Sequence, residues 1–143
     1  MTVDDHQQRF IQTFMMNVPH VGALGLIYVG HGSDWAEMAL PPRDELVGYP
    51  DVGIVANGAV FSLIDSCAGF AVFAKCGNAR HATLDLRLDY VGAPAVGATV
   101  VARMTCYRLT RTVAFVRGIA HTGEPERPIA NATGTFMLTG SKP

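Results

Sequence analysis

Asp65 is the first candidate for chemistry. It lies in the segment Leu63-Ile64-Asp65-Ser66-Cys67. At about 100° per residue, a helix here puts it on one face with Phe61, Ser62, Ala68, Gly69 and Val72. A carboxylate among such small and apolar groups loses water, which shifts its pKa unless it is paired. Such a group is a catalytic candidate. A solvated or hydrogen-bonded Asp at a helix margin has the same spacing. Asn57-Gly58 is the second candidate, where this helix begins. Free backbone N–H groups point out of a helix start, and the macrodipole is positive there. A developing oxyanion can be held at such a point. Gly58 allows close backbone approach, although an ordinary capped helix start looks the same.

Other chemistries find little support. The five histidines are His6, His20, His31, His81 and His121. None forms HxxxH or a ligand spacing with Cys, so no metal site is expected. His31 falls in a turn and His81 precedes a strand, and each reads as a surface or satisfied polar residue. No GxSxG elbow, Walker A or GxGxxG motif occurs. Cys67 faces the core side of its helix and reads as a small apolar residue. Arg80, Arg87, Arg103, Arg108, Arg111 and Arg117 concentrate in the second half, with Lys75 before them. Arginines bind phosphate well, but each also reads as an exposed strand or turn residue.

The elements that must hold these residues follow from periodicity. Asp4 to Asn17 predicts an amphipathic helix, with Phe10, Ile11, Phe14 and Met15 on one face and Pro19 ending it. Ala23 to Gly30 and Trp35 to Leu40 predict a hairpin around His31-Gly32-Ser33-Asp34. A loop through Gly48, Tyr49, Pro50 and Gly53 follows. Asn57 to about Ala74 is the strongest helix, with Val60, Leu63, Ile64, Cys67 and Ala71 at 3–4 spacing and Asn57 as N-cap. Four β-like segments complete the chain: Ala82–Tyr90, Gly97–Leu109, Val113–His121 and Ile129–Leu138. In the first, Leu84, Leu86 and Leu88 alternate with Asp85, Arg87 and Asp89. Short turns between consecutive strands predict an antiparallel meander. Its apolar face must be covered, and only the central helix is long and apolar enough. The expected fold class is α+β, a six-stranded antiparallel sheet wrapped around a long central helix, with an extra N-terminal helix.

Composition sets the outer limits. The 143 residues suit one domain, residues 1–143. Hydrophobic residues make up 49% and charged residues 16%, with mean hydropathy +0.23, which excludes a disordered chain. So little charge suggests apolar surface buried between subunits. A net charge of −1 gives no field to hold a nucleic-acid backbone. Three cysteines without CxxC spacing suit reduced thiols. No transmembrane span is expected. The N-terminus MTVDDHQQRF lacks the features of a secretory signal, and a cytoplasmic protein is expected.

The run from Val55 through Ala56-Asn57-Gly58 and Leu63-Ile64-Asp65 to Phe70 resembles hot-dog-fold acyl-CoA thioesterases of the phenylacetate-degradation type, related to 4-hydroxybenzoyl-CoA thioesterases. In that family a His-Gly-Gly step opens the central helix, and an apolar pair followed by Asp comes at the distance seen here. Thr83 to Tyr90 looks like the family's next strand, and Arg108 to Val116 like its following hairpin. The resemblance covers roughly residues 5 to 140, and the element order is that of the hot-dog fold.

The resemblance implies hydrolysis of an acyl-CoA or aryl-CoA thioester, with CoA part of the substrate and no separate cofactor. Asp65 would be general base or nucleophile, and the N–H groups of Asn57 and Gly58 would polarise the carbonyl. Thr83 would orient the water, and Arg87, Arg108 or Arg111 would meet the CoA phosphates. Family sites lie between subunits, which implies a homodimer or a dimer of dimers. Ala56 stands where the motif has His, and Asn57 where it has its first Gly. Those departures leave open an acyl-CoA binding module without activity. The fold also hosts dehydratases, which would need His31 or His81 beside Asp65.

Overall fold

The structure, a computed structural model, describes residues 5, 8–9, 11–12, 17–77 and 80–139. The expected helix over Asp4–Asn17 lies partly outside them. Within it Asp5, Gln8, Arg9, Ile11 and Gln12 are helical, and Ile11 is fully buried.

In chain order the elements are helix α1 (Pro19–Leu24), strands β1 (Ile27–His31) and β2 (Trp35–Leu40), and a 3-10 turn (Asp44–Leu46). A short pair β3 (Val47–Tyr49) and β4 (Ile54–Val55) follows, then helix α2 (Asn57–Cys76). Strands β5 (His81–Tyr90), β6 (Val100–Leu109), β7 (Val113–His121) and β8 (Ala130–Leu138) end the fold. Six strands form one antiparallel sheet in the order β1-β2-β6-β7-β8-β5. This is the α+β arrangement expected. Strand β5, which follows α2, takes the edge beside the last strand.

Helix α2 is the core. Val60, Leu63, Ile64, Cys67, Ala68, Ala71 and Val72 are 0–1% exposed. Burying each large aliphatic side chain stabilises the fold by about 1.5–3 kcal/mol. Ala68 and Ala71 lack bulk, so the helix sits close to β2 and β6, the strands it meets most. It has the length and composition of a membrane span, but more than half of its most apolar window is buried, as suits a core helix. Gly77, at φ 68°, ends it in the left-handed region and donates its N–H to the Phe73 carbonyl across 2.8 Å.

Five local expectations are corrected. Pro19, expected to end a helix, stands at the start of α1, where its missing N–H is harmless, and Gly25 at φ 72° closes that turn. The strand expected from Ala23 therefore begins at Ile27. The loop after Pro41-Pro42 contains the β3–β4 pair. The N-cap of α2 is Ala56, in extended conformation with no side-chain cap, and Asn57 is the first helical residue. Last, Leu84 does not share a face with Leu86 and Leu88, because β5 is bulged between Thr83 and Asp85.

Candidate active site

The bulge in β5 decides which side chains meet α2. Side chains alternate faces along a strand, and one extra residue reverses the phase. Beyond the bulge, Leu86 and Leu88 turn inward and pack on the core. Before it, His81 and Thr83 take the inward face, and Leu84 is left 52% exposed. Thr83 then lies across from Asp65, and its hydroxyl Oγ1 donates to Asp65 Oδ1 across 2.8 Å. The carboxylate is half-buried. Its second oxygen is available to a water or a substrate atom.

One turn further along α2 comes Gly69. His81 lies against it, with Nε2 at 2.9 Å from where a Cβ would stand. The imidazole also meets the Phe136 ring edge-on, with centroids 5.5 Å apart. Between these two levels is a cavity of about 210 Å³. Its walls are Val18, Val21, Phe70, Phe73 and Phe136, and its polar groups are Asp65, Ser66, His81 and Thr83. A carboxylate at the edge of an apolar cavity can act on a carbonyl while the cavity takes the apolar group attached to it.

The start of α2 is the other expected component. The N–H groups of Ala59 and Val60 turn back onto the Ala56 carbonyl at 3.1 and 3.4 Å. Those of Asn57 and Gly58 are left at the open end, as helix geometry requires. Nothing lies within 4 Å of a Cβ built on Gly58, so a ligand can approach that backbone. Tyr90, at the far end of β5, donates its hydroxyl to the Asn57 carbonyl at 3.0 Å and fixes the helix start. At 1.5 Å per residue, Gly58 and Asp65 stand about 10 Å apart along the helix axis. One carbonyl group cannot touch both within a single subunit.

The remaining expectations separate in space. Arg87 lies on the outer face of the edge strand, paired with Asp89 at 3.2 Å. Arg108 and Arg111 are exposed at the β6–β7 turn. Three strand spacings, about 14 Å, separate β5 from β6, so these arginines do not converge. His31 is on β1, at the opposite edge of the sheet from β5, and bonds the Tyr28 hydroxyl. Among the described residues no three His, Cys, Asp or Glu side chains gather as a cation site. Cys67 is fully buried, and burial pushes its thiol up to about 12. A larger hollow of about 410 Å³ lies by β3, β4 and residues 95–98, away from Asp65. Its Arg43 is committed to the Ala23 carbonyl at 2.8 Å.

His81, read from the sequence as a surface or satisfied polar residue and as a neighbour of Asp65 only for a dehydratase, lines the same cavity as Asp65. Its signal was the spacing to Thr83: two residues apart, they share a strand face.

The sequence pattern of the thioesterase superfamily matches residues 52–129, from the segment before α2 to the residue before β8. The chain belongs to the thioesterase superfamily. It is 26% identical over 141 residues to the medium/long-chain acyl-CoA thioesterase YigI of Escherichia coli K12, covering 89% of this chain and 90% of that one. Among solved structures, a Pseudomonas aeruginosa protein superimposes with a TM-score of 0.80 at 31% identity, covering 89% of this chain and 95% of its own. The phenylacetic acid degradation protein PaaI of Thermus thermophilus, solved as a point mutant, gives 0.73 at 26% identity over 84% of this chain and 98% of its own. Those relatives and the geometry together mark a thioesterase with the hot-dog fold.

Proposed function

We propose that the protein hydrolyses acyl-CoA thioesters to the free acid and CoA, with Asp65 as the central group. The observation that carries this reading is the Thr83–Asp65 hydrogen bond at the edge of the apolar cavity. The thioester carbonyl lies beside Asp65 with its acyl group in the cavity. Asp65 then removes a proton from water as that water attacks, or attacks the carbonyl itself to give a transient anhydride. Thr83 holds one carboxylate oxygen, so the other is aimed at the reacting atom. CoA leaves as a thiolate, which needs little help from an acid.

The developing oxyanion meets the N–H groups of Asn57 and Gly58 from a second subunit, since those of the same subunit are out of reach. The working unit is therefore at least a homodimer. Ala56 has no imidazole to offer the thioester, but the N–H donors at the helix start do not depend on side chains. One of Arg87, Arg108 or Arg111 would meet the CoA phosphates, since the three do not converge within a subunit.

The test is thiol release from a panel of acyl-CoAs by the unaltered protein and by Asp65→Asn. Turnover falls at least ~100-fold in the variant if Asp65 is the base. Equal turnover would discard the assignment. Binding of CoA esters with no thiol release from any of them would replace the enzyme by an acyl-CoA binding module.

A further inference from the structure

Tyr90 ends β5 in the same phase as Leu86 and Leu88, which pack on the core. Its side chain is therefore sent toward α2, and its hydroxyl donates to the Asn57 carbonyl across 3.0 Å. Asn57 is the first residue of that helix. Its carbonyl needs no donor from outside, because an α-helix supplies the N–H four residues on. The Tyr90 bond is a second one, to an oxygen with two lone pairs. Nor is the bond needed to hold the strand in place, since β5 is paired with β8 from His81 to Tyr90. Partial burial raises the tyrosine pKa above its ordinary 10.0, so the hydroxyl keeps its proton at neutral pH.

The Asn57 carbonyl and the Gly58 N–H are the two ends of one planar peptide unit, and they point in opposite directions. A donor bound at the oxygen draws electron density from the nitrogen, and the N–H becomes a stronger donor in turn. The same bond fixes the direction of the N–H. Gly58 does little to restrain that rotation itself, having no side chain and nothing within 4 Å of a Cβ built there.

We propose that Tyr90 is a positioning residue for the oxyanion: through the Asn57 carbonyl it aims and strengthens the Gly58 N–H that meets the thioester oxygen. The proposal rests on the thioester-hydrolysis reading and adds a residue to it. Tyr90 does not touch the substrate. Strand β5 then serves both halves of the site, with Thr83 holding Asp65 near one end and Tyr90 holding the helix start at the other. In a site shared by two subunits, each centre uses Thr83 of one subunit and Tyr90 of the other.

The experiment has a kinetic and a spectroscopic arm. Tyr90→Phe keeps the ring and loses only the hydroxyl. One oxyanion donor is worth about 10²- to 10³-fold in rate, and polarisation changes such a bond by about 10–30%. The variant should therefore lose about two- to eightfold in kcat, with KM and Tm little changed. The infrared stretch of a carbon-13-labelled thioester carbonyl bound to Asp65→Asn reads the same donor without turnover. A stronger hydrogen bond lowers that frequency, so adding Tyr90→Phe should raise it. A fluorotyrosine at position 90, a stronger donor of nearly the same shape, should lower it. A purely structural tyrosine would move stability and leave the frequency in place. An unmoved frequency overturns the proposal, and so does an unchanged kcat where thiol is released. A frequency that moves in a protein that releases no thiol keeps the Tyr90 assignment and removes the hydrolase. Normal thiol release with an unmoved frequency does the reverse, and failure of every ester to bind overturns both.

Discussion

The Thr83 hydroxyl reaches Asp65 only because Leu84 is left out of register. With regular alternation from Leu88 back along β5, Leu84 would face α2 and Thr83 would face away. The bulge between Thr83 and Asp85 reverses that, and the 2.8 Å hydrogen bond follows. A hydrogen bond to a charged group contributes about 1.5–3 kcal/mol. Thr83→Ala should therefore lower kcat about 10- to 100-fold with the fold intact. Thr83→Ser should restore most of it. Equal rates for the two variants would show that the threonine acts through packing.

The same bulge shows which parts of this fold could be read from the sequence. Periodicity located α2 to within two residues at its C-terminal end, because its apolar positions are buried on nearly every side. The four last strands were legible for a similar reason, each with one face on the core. The alternation of leucines in β5 misled because it continues unbroken through the bulge. Nothing in Leu84 itself marks the extra residue, which exists because β8 pairs with Thr83 and Asp85 on either side of it. His81 was misplaced with it. Its partners Gly69 and Phe136 are 12 and 55 residues away in the chain, and only tertiary packing joins them. Asp65 was legible because it is a lone carboxylate in an apolar helix.

Gly118 on β7 pairs with Met104 on β6, and any Cβ there would run into the Arg103 carbonyl oxygen and the Met104 side chain. The obstacle is partly backbone, so the sheet itself must shift. Gly118→Ala should lower Tm by roughly 3–10 °C, from 1–3 kcal/mol of overpacking. Thermal unfolding followed by circular dichroism reads the shift. An unchanged Tm would mean that the β6–β7 register differs from the one described.

Cys67 makes a pH-dependent contribution to stability. Its sulfur lies 3.2 Å from the Ala36 carbonyl oxygen, and burial pushes the thiol from 9.0 up to about 12. Between those values the unfolded chain releases a proton that the folded chain keeps. Rising pH then favours unfolding, by about tenfold in the equilibrium constant per unit. Below pH 9 the residue adds no slope. Urea denaturation of the unaltered protein and of Cys67→Ala at about pH 8, 9 and 10 isolates the effect. The stability difference between them should stay constant up to the ordinary thiol pKa of 9.0 and begin to shrink above it. The same burial predicts that Cys67 resists thiol reagents until the protein unfolds. Modification of Cys67 in the folded protein at about pH 8 would contradict it.

The proposed sharing of the site between two subunits has a test that no single variant provides. Asn57 can be replaced by Pro without breaking α2, because it is the first helical residue and Ala56 before it is already extended at ψ 138°. Asn57→Pro removes one N–H donor from the helix start and should lower kcat about 10²- to 10³-fold. Asp65→Asn removes the proposed base. Each variant alone is then nearly inactive. If the two were unfolded together and refolded as a mixture, half of the dimers would combine one subunit of each kind. In such a dimer one site joins both defects. The other joins an intact Asp65 with an intact helix start from the opposite subunit. The mixture should recover about a quarter of the unaltered activity, as expected for a twofold-symmetric pair. A site built within one subunit has a defect in every copy, and mixing would recover nothing.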